Sequence, residues 1–338
     1  MAKVHLSTDG AASAPQRRPA RAALRDAAEV GILVALVVVF SILNPEAFPT
    51  LTNLKTILNA ASIPIIVGVG ATFVVLMGRI DLSAEGVMGA AGMTFVLLSA
   101  NSRGTLDLGP AAFVIAVLLG AALGLVTGLV HTRLSVPSFI VSLGMWYVGL
   151  GVAAVLFGVQ MIPFLESDAL KLWPSVASLG VPNSFVLALA VVVVGYLIEQ
   201  FTRLGRYTYA IGNNEGVAQI TGLPVKRYCL YVFMLSGACS ALAGVLGSLQ
   251  LGAGSATIGV GTLFMTLAAI VIGGTPLSGG KGGVMRTALG VLILSTLYNG
   301  LILSDVSPAI QSGVSGTILI VAVTAAGWVH RAKLKVVK

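Results

Sequence analysis

Few residues in this chain could do chemistry, and they are not grouped as a catalytic set would be. The three histidines are His5, His131 and His330. Two lie near the ends of the chain and one closes an apolar run, so neither a zinc cluster nor a base beside a nucleophile is predicted. Cys229 and Cys239 share one apolar helical stretch. Ten residues of helix separate them by about 15 Å, too far for a disulfide, and both read as buried thiols. The run SGGKGG at 278–283 suggests a phosphate loop. The motif G-x-x-x-x-G-K-[ST] would need glycine at Thr275 and a hydroxyl at Gly282, and it has neither. The chain is therefore expected to be no enzyme and to bind no cofactor; any use of ATP would belong to a partner.

The charged residues nearest to apolar surroundings are Arg79, Asp81 and Glu85, within GRIDLSAEG at 78–86. An ionisable group at membrane depth is costly and is a functional candidate by default. Asp81 and Glu85 are four apart and can share a helix face, and Arg79 could neutralise Asp81. A second stretch, GGTPLSGGKGG at 273–283, resembles the first: each breaks an apolar run with Gly or Pro plus a hydroxyl. Paired interruptions in the two halves point to a transport site. The alternative is two tight turns, with an ion pair at a span end. A neutral, hydroxyl-rich solute would need donors and acceptors at such breaks, and Asp81, Ser83, Glu85 and Ser278 would supply them. Phe139, after Pro137 and Ser138, could supply a stacking face.

The elements that must position these residues are apolar helices. The chain is 57% hydrophobic and 9% charged, with 41 glycines among 338 residues. Soluble domains carry about 25% charged residues, so the class is an all-α, polytopic transmembrane bundle. Ten apolar segments are drawn at about 27–43, 54–77, 82–100, 109–131, 136–158, 182–201, 228–251, 257–274, 284–303 and 309–329. Ten spans place both termini on one side. Of the 20 Lys and Arg, only Lys55, Arg103 and Lys171 then fall outside, which sets both termini in the cytoplasm. Residues 1–26 read as a disordered tail, 27–330 as the membrane domain and 331–338 as a basic tail. Arg17-Arg18 imitates a twin-arginine signal, but more spans follow instead of a cleavage site. The net charge of +8 sits in loops without interleaved aromatics, so no nucleic-acid partner is expected. Gly120, Gly124 and Gly128 form a close-packing face, within the subunit or across a dimer. The outer loop 159–181 could meet a binding protein, or simply anchor Trp173 at headgroup level.

One cytoplasmic stretch, 202–227, leaves the apolar pattern. Arg203 with Arg206 and Lys226 with Arg227 bracket it. Asn213 or Asn214 can cap a helix, Glu215 suits its first turn, and Gly222 with Pro224 stops it. That reads as loop, short helix, loop, in a form suited to docking.

GRYTYAIGNNEGVAQITGLPVKRY resembles the coupling loop of ribose/galactoside-type ABC-transporter permeases, and GRIDLS and GGTPLSGGKGG resemble two further motifs of that family in the same order. The resemblance covers roughly residues 30–330. It implies a permease subunit of the bacterial inner membrane that pairs with a second permease subunit, in contact with membrane lipid. It also implies an ATPase docked on Tyr209, Ala210, Ile211, Gly212, Asn213, Asn214, Glu215, Ala218 and Gly222. An outer solute-binding protein would deliver a ribose-, galactose- or xylose-like sugar. The sequence D-L-S-A-E-G departs from the sugar-type D-L-S-V-G-S toward the nucleoside-type branch, so a nucleoside is the alternative substrate. An ion-coupled carrier using Asp81 and Glu85 is the rival class. It leaves the capped cytoplasmic stretch unexplained.

Overall fold

The computed structural model describes residues 18–307 and scattered positions between 309 and 324, with side chains from residue 28. Its helices are α1 (Arg18–Leu43), α2 (Leu51–Leu76), α3 (Ala84–Leu98), α4 (Pro110–Leu134), α5 (Ser138–Phe157), α6 (Asp168–Leu172), α7 (Asn183–Phe201), α8 (Arg203–Asn213), α9 (Glu215–Ile220), α10 (Val225–Leu251), α11 (Thr262–Ile272) and α12 (Val284–Leu303). The all-α reading holds, and nine helices fall on the first nine apolar segments. Most of the tenth segment, like residues 1–17 and 331–338, lies outside the described residues. α1 takes in residues 18–26, which the sequence pattern assigned to the tail.

Six helices, α2, α4, α5, α7, α10 and α12, are long and apolar enough to cross a membrane. α3 and α11 are not full spans. Their 15 and 11 residues rise only about 22 and 16 Å, against about 30 Å of hydrocarbon.

α2 is the centre of the bundle. It is apolar on every side, and each residue from Pro64 to Leu76 is buried, the signature of a helix surrounded by others. It stays helical through Pro64 and packs on α7, α10, α11 and α12. α10 packs on α2, α3 and α4. The glycines of α4 set that last contact: a β-carbon on Gly120 would meet Ala241 and the Gly237 carbonyl, and one on Gly124 the Phe233 carbonyl. The G-x-x-x-G face thus packs within the subunit. α4, α5 and α7 turn apolar residues outward, among them Leu118, Val155 and Val193.

Taken together with α1, α3 and α11, the long helices alternate in direction, so their connections gather at two ends. At one end 77–83, 135–137, 202–224 and 273–283 converge. At the other, backbone hydrogen bonds join three loops: Ser102 to Phe164, Glu166 to Ala100, Leu165 to Gly252 and Gly254 to Pro163. There Arg103 forks onto the carbonyls of Phe157, Gln160 and Met161, which clamps the start of the 159–181 loop.

Candidate functional site

The stretch 202–227 holds two helices rather than one. Thr202 caps α8, its Oγ1 accepting from the Gly205 N–H at 3.4 Å. Arg203–Ala210, which the sequence pattern assigned to a loop, is therefore helical. Asn214 ends α8 and starts α9, its Oδ1 accepting from the Val217 N–H at 3.1 Å. α9 ends as predicted. Gly222 adopts φ +79°, and two 3.0 Å bonds, Gly222 N–H to Gln219 and Leu223 N–H to Ala218, close the turn. Val217 and Ile220 stand 55% and 89% exposed on this polar pair of helices.

α8 and α9 are joined to both interruptions. The Gly280 N–H donates to the Leu76 carbonyl at 2.9 Å, so the two interruptions touch. Gly212 lies against that same carbonyl and the Gly280 nitrogen. Asn213 Nδ2 donates to the Gly280 carbonyl at 3.3 Å. Arg79 Nη2 meets Glu215 Oε1 at 3.1 Å, and its Nε donates to His131 Nε2 at 2.8 Å. The His131 ring proton is then on Nδ1, facing the Val136 carbonyl at 2.6 Å. Arg79 therefore pairs with α9, not with Asp81.

Three buried carboxylates hold the starts of three helices, where exposed backbone N–H groups favour negative charge. Asp81 accepts from the Ser83 N–H (2.9 Å), Ser83 Oγ (2.6 Å) and Ser236 Oγ (2.7 Å), which ties the start of α3 to α10. Glu85 Oε1 accepts from the Gly261 and Leu263 N–H groups at 3.0 Å each, at the start of α11. Glu199, near the end of α7, accepts from the Val284 N–H (2.8 Å) at the start of α12 and from the Tyr209 hydroxyl of α8 (2.5 Å). Tyr209 also donates to the Gly282 carbonyl at 2.8 Å. Burial, and then the hydrogen bond to Glu199, push the Tyr209 phenol above its ordinary range, so it remains a donor. The sequence reading missed Glu199; an acidic residue at the end of an apolar run, where the helix dipole opposes it, was the available signal.

Of the predicted pathway residues, Asp81, Ser83 and Glu85 are buried and hydrogen-bonded within the fold, while Phe139 and Ser278 reach the surface. Of the predicted docking residues, Ile211 and Ala218 are buried and anchor their helices, and Asn213, Asn214, Glu215 and Gly222 face outward. Among the described residues no group of three His, Cys, Asp or Glu side chains could hold a metal ion.

Long apolar helices around a buried centre, with a polar helix pair packed on broken segments at one end, define a multi-pass membrane transport protein. The chain belongs to the family described as branched-chain amino acid transport system / permease component, whose model matches residues 53–323. It is a transport subunit rather than an enzyme, set in the bacterial inner membrane by its long apolar helices. It is 35% identical to the ribose import permease protein of Haemophilus influenzae over 307 residues, 89% of this chain and 93% of that one. It is 32% identical to the D-allose transport system permease protein of Escherichia coli over 292 residues, 86% and 88% of the two chains. The autoinducer 2 import system permease protein of Salmonella typhi is 29% identical over 303 residues, 86% and 88%. No solved structure matches.

Proposed function

We propose that this chain is the membrane-spanning subunit of an ABC importer for a small sugar, and that α8 and α9 are its coupling helices. The observation that carries this is the exposed apolar pair Val217 and Ile220 on a capped polar helix joined to both interruptions. A separate ATPase docks there, around Tyr209–Glu215, Ala218 and Gly222, and its ATP-driven motion selects between two states of the bundle. The α8–α9 end is cytoplasmic: it holds Arg79, Arg133, Arg203, Arg206, Lys226, Arg227 and Lys281, whereas Lys55, Arg103 and Lys171 lie toward the other. The chain makes ten passes with both termini inside, α3 and α11 being half-helices completed by non-helical chain. A second permease subunit and lipid cover the outward apolar faces, and a solute-binding protein docks at the opposite end, on the 159–181 loop.

A sugar is favoured over a nucleoside on one observation. Glu85, one of the three positions (Ala84, Glu85 and Gly86) at which D-L-S-A-E-G departs from the sugar-type motif, is occupied by the start of α11, so its carboxyl group answers a packing need. Relatives whose names specify ribose and D-allose point the same way. Phe139 and Ser278 are the members of the predicted pathway set that offer accessible contacts. Asp81, Ser83 and Glu85 flank that path and fix its helices.

The test is reconstitution with the candidate ATPase and binding protein, followed by uptake of labelled pentoses, hexoses and nucleosides. Uptake of a pentose or hexose that needs both ATP and the binding protein is expected. Uptake by the chain alone, driven by a proton or sodium gradient, would establish the carrier reading instead.

A further inference from the structure

Between α10 and α11 the chain is non-helical for ten residues, 252–261, and it does not stay at the end of the bundle. It descends alongside α3. A β-carbon on Gly89 would meet the Ala256 carbonyl, one on Gly247 would meet Ile258, and Gly259 packs against the backbone of Glu85. Gly261 and Leu263 then donate to Glu85 itself. The depth can be read from α10: Gly244 lies against Met88, and Asp81 bonds Ser236, so Glu85 falls between these levels. That is well inside a helix that ends only at Leu251. α3 and α11 thus both start within the bundle, their N-termini meeting at Glu85.

Non-helical backbone at membrane depth is tolerated only where protein buries it or water reaches it. One side of this segment is buried: Gly252, Ala253, Gly254 and Gly259. The other is not. Thr257 is exposed, Ser255 half-buried, and Val260 and Phe264 are 64% and 56% exposed. Ser255 Oγ and Thr257 Oγ1 are 3.2 Å apart and form a hydroxyl pair on the open side. Ser255 Oγ also accepts from the Thr257 N–H at 3.3 Å, but hydrocarbon would leave the remaining hydroxyl and peptide acceptors of this open side without water.

We infer that segment 252–261 lines the aqueous route for substrate as it descends from the loop end toward Glu85, with Ser255 and Thr257 as its hydroxyl-recognition residues. The ligand class is a neutral polyhydroxylated solute. Both helix N-termini at this level already hold carboxylates, which leaves no call for an anion, and paired hydroxyls offer donor and acceptor alike. The inference rests on the permease reading, but accessibility of the segment to water is independent of the ATPase and of the sugar's identity.

Ser255→Cys and Thr257→Cys, in the full chain with Cys229 and Cys239 replaced by Ser, would be treated with a charged, membrane-impermeant thiol reagent in proteoliposomes. Leu118→Cys on the outward apolar face of α4 serves as reference. Labelling of positions 255 and 257 more than about tenfold faster than position 118 is expected, with slowing by D-ribose once partners are present. Labelling no faster than at position 118, or only by an uncharged lipid-soluble reagent, would overturn the route. Ser255→Ala and Thr257→Ala should raise the KM for uptake several-fold. Fast labelling with unaltered KM in both variants would overturn the recognition role. Failure of ATP-driven uptake in the unmodified complex, with labelling fast, would instead sink the importer reading.

Discussion

The carbonyl of Leu76, the last residue of α2, occupies the space that a β-carbon on Gly212 of α8 would take. α8 thus rests directly on the end of the central helix, with no side chain between. Gly212→Val should lift α8 from α2. Overpacking of this kind costs about 1–3 kcal/mol. Uptake should fall more than about tenfold while membrane levels, read by immunoblot, stay near normal.

Gly222 differs from Gly212. No atom lies within 4 Å of its would-be β-carbon, so the cost of a side chain is purely that of φ +79°. Gly222→Val should weaken association with the ATPase and abolish transport while the spans still insert. Gly222→Asn, a residue that visits the left-handed region, should keep most activity. Equal loss in both variants would argue against a backbone cause, and unchanged transport in Gly222→Val would make the loop a mere connector.

Asp81 and Arg79 should separate in two assays. Asp81→Ala strands the Ser83 N–H and the Ser236 hydroxyl in a buried setting, at about 1–3 kcal/mol for each group, and should lower membrane levels and thermal stability. Arg79→Ala breaks a pair whose Glu215 partner is 44% exposed, worth about 0–1 kcal/mol, so levels should hold while uptake falls. Normal levels with abolished uptake in Asp81→Ala would return Asp81 to the substrate path.

Glu199 joins α7, α8 and α12 through two hydrogen bonds. Glu199→Gln keeps one acceptor but turns an NH2 toward a donor, at about 1–3 kcal/mol. Uptake per ATP hydrolysed should drop several-fold, and Tyr209→Phe should drop it in the same direction. A double variant no worse than Glu199→Gln would show that the two act as one unit.

Orientation is open to direct labelling. Single cysteines at Ser102, Asp168 and Asp305, all exposed, should react from outside, and those at Asn214 and Lys333 from inside. An outside result at Asn214 would sink both the ten-pass arrangement and the docking of an ATPase on α9.

The sequence by itself determined the membrane class, nine helix positions and the polar, capped stretch at one end, because these follow from local composition, charge asymmetry and capping residues. Asn214 and Gly222 act where they stand, within one turn of chain. Tertiary structure decided the rest. That Asp81 bonds Ser236, that Arg79 reaches Glu215, and that Glu199 starts α12 are pairings across 155, 136 and 85 residues. No local pattern encodes them. The shortness of α3 and α11 was hidden for a related reason. Apolar composition reports that a segment lies among other helices, not its backbone conformation, and a non-helical stretch packed on one side against them gives the same composition. Only the packing of Gly89 on Ala256 and of Gly259 on Glu85 reveals that the chain between Gly252 and Gly261 enters the bundle unwound.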